Sequence, residues 1–288
     1  MATEPTVFDR LGLLSPHRAL TGLSHRQRGL AGIGMLMAIT AIALLAPLLA
    51  PHDPLRPAGP PQLPPGQDGF LLGTDGIGRD VLSRVLDGWR ASWFAALAVI
   101  ASGLCLGGMV GLVAGSAGGL VDGLLMRLTD GFLALPAPVL AIAIVAALGP
   151  GFVHTLLGVA IVWWPFYARI VRGEVRALAV RPHVEAARLA GVGRLRLAWR
   201  HLLPGAVPAM VVTASLDVGN LVITLALLSF LGLGQPAPAA ELGADAARNL
   251  SFLLQGWWIP VTPGVAILVM AMAANIAGDG IRHLFEDR

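Results

Sequence analysis

The chain contains no lysine; all 20 of its basic residues are arginine. A nucleotide-binding loop of the form G-x-x-x-x-G-K-[ST] needs the lysine ammonium to reach the β- and γ-phosphates, so this chain is not itself a P-loop ATPase. Its one cysteine, Cys105, has no thiol partner, which excludes an intrachain disulfide and a zinc-type cysteine cluster. In its apolar run Cys105 reads as a small packed hydrophobe. Charge is also scarce: 13% of 288 residues, against 56% hydrophobic and a mean hydropathy of +0.74. Such a chain cannot hide its apolar surface in one soluble core and belongs in a membrane. The net charge of +3 and isoelectric point near 10.3 resemble those of a nucleic-acid binder. The arginines, however, lie beside apolar spans rather than on one soluble face, which argues against nucleic acid as a partner.

Charge-free stretches of about 20 residues mark crossings of a roughly 30 Å hydrocarbon core. They predict six helices, near Leu30–Leu49, Ser92–Ser116, Leu124–Leu148, His154–Ile170, Val207–Leu231 and Trp258–Gly278. The first follows a long segment carrying Arg10, Arg18, Arg26 and Arg28, so it reads as an uncleaved helix rather than a signal peptide. Residues 51–69 are too rich in proline and glycine for regular structure, and a short amphipathic helix is expected over Arg79–Arg90. Gly107, Gly111 and Gly115 repeat at helical spacing and predict close helix contact. Trp257-Trp258 reads as an interfacial anchor. The resulting divisions are an N-terminal segment 1–29, a first transmembrane helix 30–50, an outer loop and short helix 51–90, a five-helix core 91–281 and a C-terminus 282–288.

Six crossings put both ends on one side. Arg10, Arg18, Arg26, Arg28, Arg127, Arg169, Arg172, Arg176, Arg181, Arg188, Arg194, Arg196, Arg200, Arg282 and Arg288 fall on that side; Arg56, Arg79, Arg84, Arg90 and Arg248 fall on the other. The arginine-rich side is expected to be cytoplasmic. It includes a polar island, 171–206, between two apolar spans. There Pro182 suits a first helical turn, Glu185 the positive end of the dipole and Gly191 a left-handed cap. A turn at 191–193 and a second helix ended by Pro204 are expected to follow. Ala186 and Ala190 share a face and Ala187 lies above Gly191, a small-residue band open to another protein, with Glu185 and the arginines at its edge. The alternative is a solvated basic loop that only enforces topology.

Glu185-Ala186-Ala187, Gly191 and Leu203-Pro204 resemble the EAA loop of ABC-transporter inner-membrane subunits. His201 stands where the general pattern has Ile, but Arg200-His201-Leu202-Leu203-Pro204 is similar to a variant in the dipeptide/oligopeptide/nickel branch. Four further blocks resemble that branch in order: Gly73-Thr74-Asp75 with Gly78-Arg79-Asp80 and Leu82-Ser83-Arg84; Tyr167-Ala168-Arg169 with Val171-Arg172; Ser229-Phe230-Leu231-Gly232-Leu233-Gly234; and Asn275 with Gly278-Asp279-Gly280 and Arg282. Their placement suits the C-type subunit. The resemblance implies an all-α, six-span permease of type I importer fold in a bacterial inner membrane. It would work with a second permease subunit, two ATP-binding cassette ATPase subunits or one fused ATPase, and an extracytoplasmic solute-binding protein, all in contact with membrane lipid. The chain would hold no cofactor itself, ATP and Mg being bound by the ATPase. Val184, Glu185, Ala186, Ala187, Arg188, Ala190, Gly191 and Arg194 would form the coupling helix and its edge, through which ATP-driven closure drives alternating access. Di- or oligopeptides are the expected cargo; nickel or another metal chelate, haem and glutathione-like conjugates are the alternatives.

Cargo-facing residues are less marked. Asp217 lies inside the fifth span with Asn220 one turn on, and an ionisable group there is costly enough to be a pathway candidate. The alternative is that Asp217 bonds to a polar partner on a neighbouring helix. Where many relatives have an acidic residue before the Ser229–Gly234 block, this chain has Leu225-Ala226-Leu227-Leu228. Arg127 and Asp130 are spaced for an i,i+3 pair. Asp75, Arg79 and Asp80 either staple the outer helix or contact extracytoplasmic partners. His154 is isolated, no histidine pair has ligand spacing on an evident face, and no metal site is assigned. A secondary transporter or channel would show coupling-ion groups on several helices or an inverted repeat. A membrane enzyme would show nucleophile and base at matched depth. Neither pattern is present.

Overall fold

The structure, a computed structural model, describes residues 25–286, so most of the expected N-terminal segment 1–29 and the last two residues lie outside it. The described residues form helices α1 (His25–Leu49), α2 (Val81–Ala117), α3 (Gly119–Leu133), α4 (Ala137–Leu148), α5 (Phe152–Ala179), α6 (Pro182–Leu189), α7 (Arg194–Leu197), α8 (Leu203–Phe230), α9 (Leu242–Arg248) and α10 (Trp258–Glu286). A π-helical turn, Ala198–Leu202, joins α7 to α8, and a 3-10 turn, Leu250–Phe252, follows α9. Among the described residues, five helices are long and apolar enough to cross a membrane, and the bent α3–α4 pair makes a sixth candidate.

Three expectations need correction. The outer helix over Arg79–Arg90 is not separate: it is the start of α2, which runs 37 residues, or about 55 Å at 1.5 Å per residue. That exceeds the hydrocarbon core, so Arg84 and Arg90 ride on a continuous helix. Nothing interrupts it after Asp80, whose carboxylate caps it by accepting from the Leu82 and Ser83 amides. The third span is not one helix over 124–148. It breaks by 84° between α3 and α4, because Pro136 disfavours helical conformation at Leu135 and is itself extended, while Pro138 suits the first turn of the new helix. Nor does Pro204 end a helix. The Leu203 amide bonds to the Ala198 carbonyl, five residues back. This widened turn resets the register so that Pro204 falls in the first turn of α8, where its missing N–H costs nothing.

Glycines set the closest approaches. A Cβ on Gly107 would overlap the Trp164 carbonyl oxygen, one on Gly111 would lie 2.5 Å from the Ala168 oxygen, and one on Gly115 2.7 Å from Val175 Cγ1. The face anticipated for helix contact therefore carries α2 against α5. On the other side of the bundle Gly278 lies against the Ser215 backbone of α8 and Gly32 against the Ala277 oxygen, drawing α10 onto α8 and α1. The main core runs from Ile39 and Ala43 through Trp93, Val99, Tyr167 and Leu221 to Met270 and Ala274.

The connection between α1 and α2 has only isolated bridges and turns, as its composition dictates. It is nevertheless tightly built. Thr74 Oγ1 donates to the Pro60 oxygen and accepts from the Leu63 amide. Trp258 is buried beneath it and donates to the Thr74 oxygen at 3.4 Å, so only Trp257 of the tryptophan pair is exposed.

Candidate functional site

The 182–206 segment forms a platform at the end of the bundle where α5 stops and α8 starts. Pro182 opens α6, and Glu185 sits in its first turn. Gly191, at φ +81°, closes it: the Gly191 amide donates to the Arg188 oxygen and the Val192 amide to the Ala187 oxygen. That paired bonding is a Schellman cap and requires the left-handed residue that glycine supplies. Val184 is completely buried against Val175, Leu178, Leu197 and Leu202, worth about 1.5–3 kcal/mol as a side chain removed from solvent. It therefore seats α6 on the chain's own bundle and, unlike its neighbours, presents nothing outward.

Glu185, Ala186, Arg188, Ala190, Gly191 and Arg194 are exposed and Ala187 is half-buried. Sequence reasoning missed the apolar side chains around them: Val180, Leu189 and Leu195 are 80%, 86% and 75% exposed. The signal was available, since an apolar residue in a loop that is otherwise arginine and alanine has no core to enter unless another body supplies it.

At the opposite end, the candidate contact residues are spent internally. Asp75 accepts from the Ile77 and Arg79 amides and from Arg79 Nε at 2.7 Å. Asp80 caps α2, accepts from Ser83 Oγ at 2.6 Å and lies 3.3 Å from His52 Nδ1. Both carboxylates are buried and the Arg79 side chain is nearly so. These groups staple the loop from within. The same sequence block ends at Arg84, whose guanidinium is buried and binds both Asp245 oxygens and the carbonyls of Pro54, Pro238 and Ala239. Burial pushes the Asp245 carboxyl above its ordinary value, and Arg84 pulls the other way. Glu241, buried nearby, accepts from Ser229 Oγ and the Gln235 amide. A Cβ on Gly234 would lie 2.5 Å from both Glu241 Oε2 and Ser229 Oγ.

Midway along the bundle, Asp217 on α8 is 8% exposed. Its Oδ2 accepts from Trp163 Nε1 at 2.5 Å and from the Tyr167 hydroxyl at 3.0 Å, both on α5. Asn220 is exposed and its Nδ2 donates to Asp217 Oδ1 at 3.4 Å. The two candidate residues are thus joined, with Asn220 outward and Asp217 behind it in the α5–α8 contact. The expected Arg127–Asp130 pair is not formed; Asp130 pairs with Arg169 on α5 instead.

A family profile described as "Binding-protein-dependent transport system inner membrane component" matches residues 107–288. The chain is 39% identical over 273 residues to the di/tripeptide transport system permease protein DppC of Pseudomonas aeruginosa, covering 92% of this chain and 89% of that protein. It is 38% identical to the probable D,D-dipeptide transport system permease protein DdpC of Escherichia coli, covering 88% and 85%. It is 34% identical to the glutathione transport system permease protein GsiD of Pectobacterium atrosepticum, covering 100% and 96%. Among solved structures, an inward-facing MetNI methionine ABC transporter chain superposes with a TM-score of 0.56 at 19% identity, over 70% of this chain and 95% of that one. A chain of an amino acid ABC transporter gives 0.56 at 16% identity, over 70% and 94%. These two share the fold, that of an all-α ABC importer permease.

Proposed function

The chain belongs to the family of inner-membrane components of binding-protein-dependent transport systems, and from that premise we propose that it forms one permease half of an ATP-driven importer of di- or oligopeptides. The observation that carries the coupling is α6: a short helix seated from below by Val184, locked by Gly191, and turning small and apolar groups outward beside arginines. Such a surface fits the groove of an ATPase partner that holds ATP and Mg. The partners are a second permease subunit, two ATPase subunits or one fused ATPase, and an extracytoplasmic solute-binding protein. The α6 end and both chain termini face the cytoplasm, in line with the distribution of arginine.

Asn220 lines the translocation path in this reading, with Asp217 fixing it from behind. Asp75, Arg79 and Asp80 shape the outer loop offered to the binding protein without touching it. Peptide cargo rests on the named relatives, two of which are dipeptide or di/tripeptide permeases. A glutathione-like conjugate is the second reading, favoured by the match to GsiD along the whole chain. The test is purification from native membrane in detergent, followed by ATPase assay with di- and tripeptides, glutathione, chelated nickel and haem. Co-purified ATPase with peptide-stimulated hydrolysis is expected. Stimulation by another cargo alone reassigns the substrate, and transport driven by an ion gradient without an ATPase overturns the proposal.

A further inference from the structure

Away from the platform, the Asp217 contact and the outer loop, a buried carboxylate ties α3 to α5. Asp122 lies in the first turn of α3, its side chain 7% exposed. Its two oxygens accept Nε and Nη2 of Arg172 at 2.5 and 2.8 Å, and Arg176 Nη2 lies 3.1 Å from Oδ2. One carboxylate thus binds two arginines on successive turns of α5. Those are the turns that seat α6, because Val175 and Leu178 lie between and just beyond them and pack on Val184, Leu197 and Leu202.

Resting on the coupling role of α6, we propose that Asp122 is a positioning residue that passes α6 displacement from α5 into the bent α3–α4 pair. α3 leaves α2 through Gly118 and Gly119, both at positive φ, a sharp turn that makes α3 a separate arm rather than a continuation of α2. The second charge contact between α3 and α5, Asp130 with Arg169, has both side chains more than half exposed and is screened by solvent. In the Asp122 fork the carboxylate is buried, Arg172 is about three-quarters buried and the contact is bidentate and directional, so of these two charge contacts it is the one through which α5 and α3 shift together. Beyond α3 the 84° bend at Pro136 redirects that motion into α4.

The experiment reconstitutes the full transporter, with its ATPase subunits and binding protein, in liposomes and measures peptide imported per ATP hydrolysed. With Asp122→Asn the complex should assemble and hydrolyse ATP, while import per ATP falls at least about fivefold, the low end of a typical coupling free energy. Asp122→Glu, which keeps the charge and the fork, should restore most of the ratio. Arg172→Lys keeps the charge but loses the planar fork, and should lower the ratio with assembly unchanged, which keeps the idea testable if Asp122→Asn fails to fold. A wild-type import-to-ATP ratio in Asp122→Asn, or in Arg172→Lys, overturns the proposal. Failure of the wild-type chain to retain an ATPase instead overturns the coupling role of α6, and the two failures are read in separate assays.

Discussion

Arg84 and Asp245, 161 residues apart in sequence, form a two-pronged ion pair with both side chains buried, joining the start of α2 to α9. The pair closes the outer end of the bundle: Arg84 also holds carbonyls from the α1–α2 loop and the α8–α9 loop. Removing one partner strands a buried charge, so Arg84→Met is expected to cost about 3–5 kcal/mol, read as a fall in the thermal midpoint in detergent. The cost should depend on pH. Burial raises the Asp245 carboxyl and Arg84 opposes it, so the variant raises it further. A folded value above the unfolded one means that protonation favours the folded state, and this contribution fades as pH rises through the folded value. Acidification should therefore recover part of the lost stability in Arg84→Met and none in Arg84→Met with Asp245→Leu. Equal losses at all pH values would show that Asp245 escapes burial in the variant.

The α2–α5 contact gives a second prediction. Gly111→Leu drives a side chain into the Ala168 oxygen and Val171, backbone and β-branched groups that cannot yield. Overpacking of this kind costs about 1–3 kcal/mol and more where backbone must move. Gly123→Leu, with open space around its Cβ position, should insert and melt like the parent. Comparable midpoints for the two variants would refute the packing account.

Much of this was legible in the sequence, and the parts that were not share a cause. Apolar runs located the crossings because each helix must satisfy its own backbone in lipid. The glycine triplet announced a close contact, and Glu185 to Gly191 announced a capped helix. Charge, by contrast, misled. Arg79, Arg84 and Arg90 read as marking a separate short outer helix, yet Arg84 and Arg90 ride on α2 itself, and Arg84 is neutralised by a residue far along the chain. Asp130 sat at helical spacing from Arg127 but found Arg169 on another helix. Local spacing says which charges could pair, and only tertiary packing decides which do. Proline misled in the same way: the Pro136–Pro138 break was hidden inside an apolar run, whereas Pro204 was absorbed by a π-turn that no periodicity reveals.

Asp217 separates a structural from a pathway role by chemistry. Asp217→Leu strands the Trp163 and Tyr167 donors on α5, each at about 1–3 kcal/mol, and should lower the thermal midpoint. Asp217→Asn keeps one acceptor oxygen and should retain most stability. If Asn220 meets cargo with Asp217 fixing it, Asp217→Asn and Asn220→Ala should both raise the KM for peptide import while leaving basal ATP hydrolysis unchanged. A stable Asp217→Asn variant with wild-type KM would leave Asp217 as a helix fastener alone.

Val184 and Glu185 are adjacent in sequence and predict opposite outcomes. Val184 is completely enclosed by α5, α7 and the π-turn, while Glu185 faces outward from the same turn of α6. Val184→Asp places a charge in an apolar seat with no partner in reach, and the lost burial alone is about 1.5–3 kcal/mol. Its effect should appear first in the chain itself, as faster proteolysis of the 180–206 segment and a lower midpoint. Glu185→Arg leaves the seat and the Gly191 cap intact, so midpoint and insertion should match the parent. Its reversed charge lies at the proposed ATPase contact, where like-charge juxtaposition costs several kcal/mol. ATPase co-purification or cargo-stimulated hydrolysis should then fall at least about tenfold, the equivalent of about 1.4 kcal/mol. Normal stimulated transport in Glu185→Arg would remove α6 as the coupling element. A Val184→Asp chain that melts normally but drops the ATPase would mean that Val184 leaves its seat in the assembled complex and meets the partner directly.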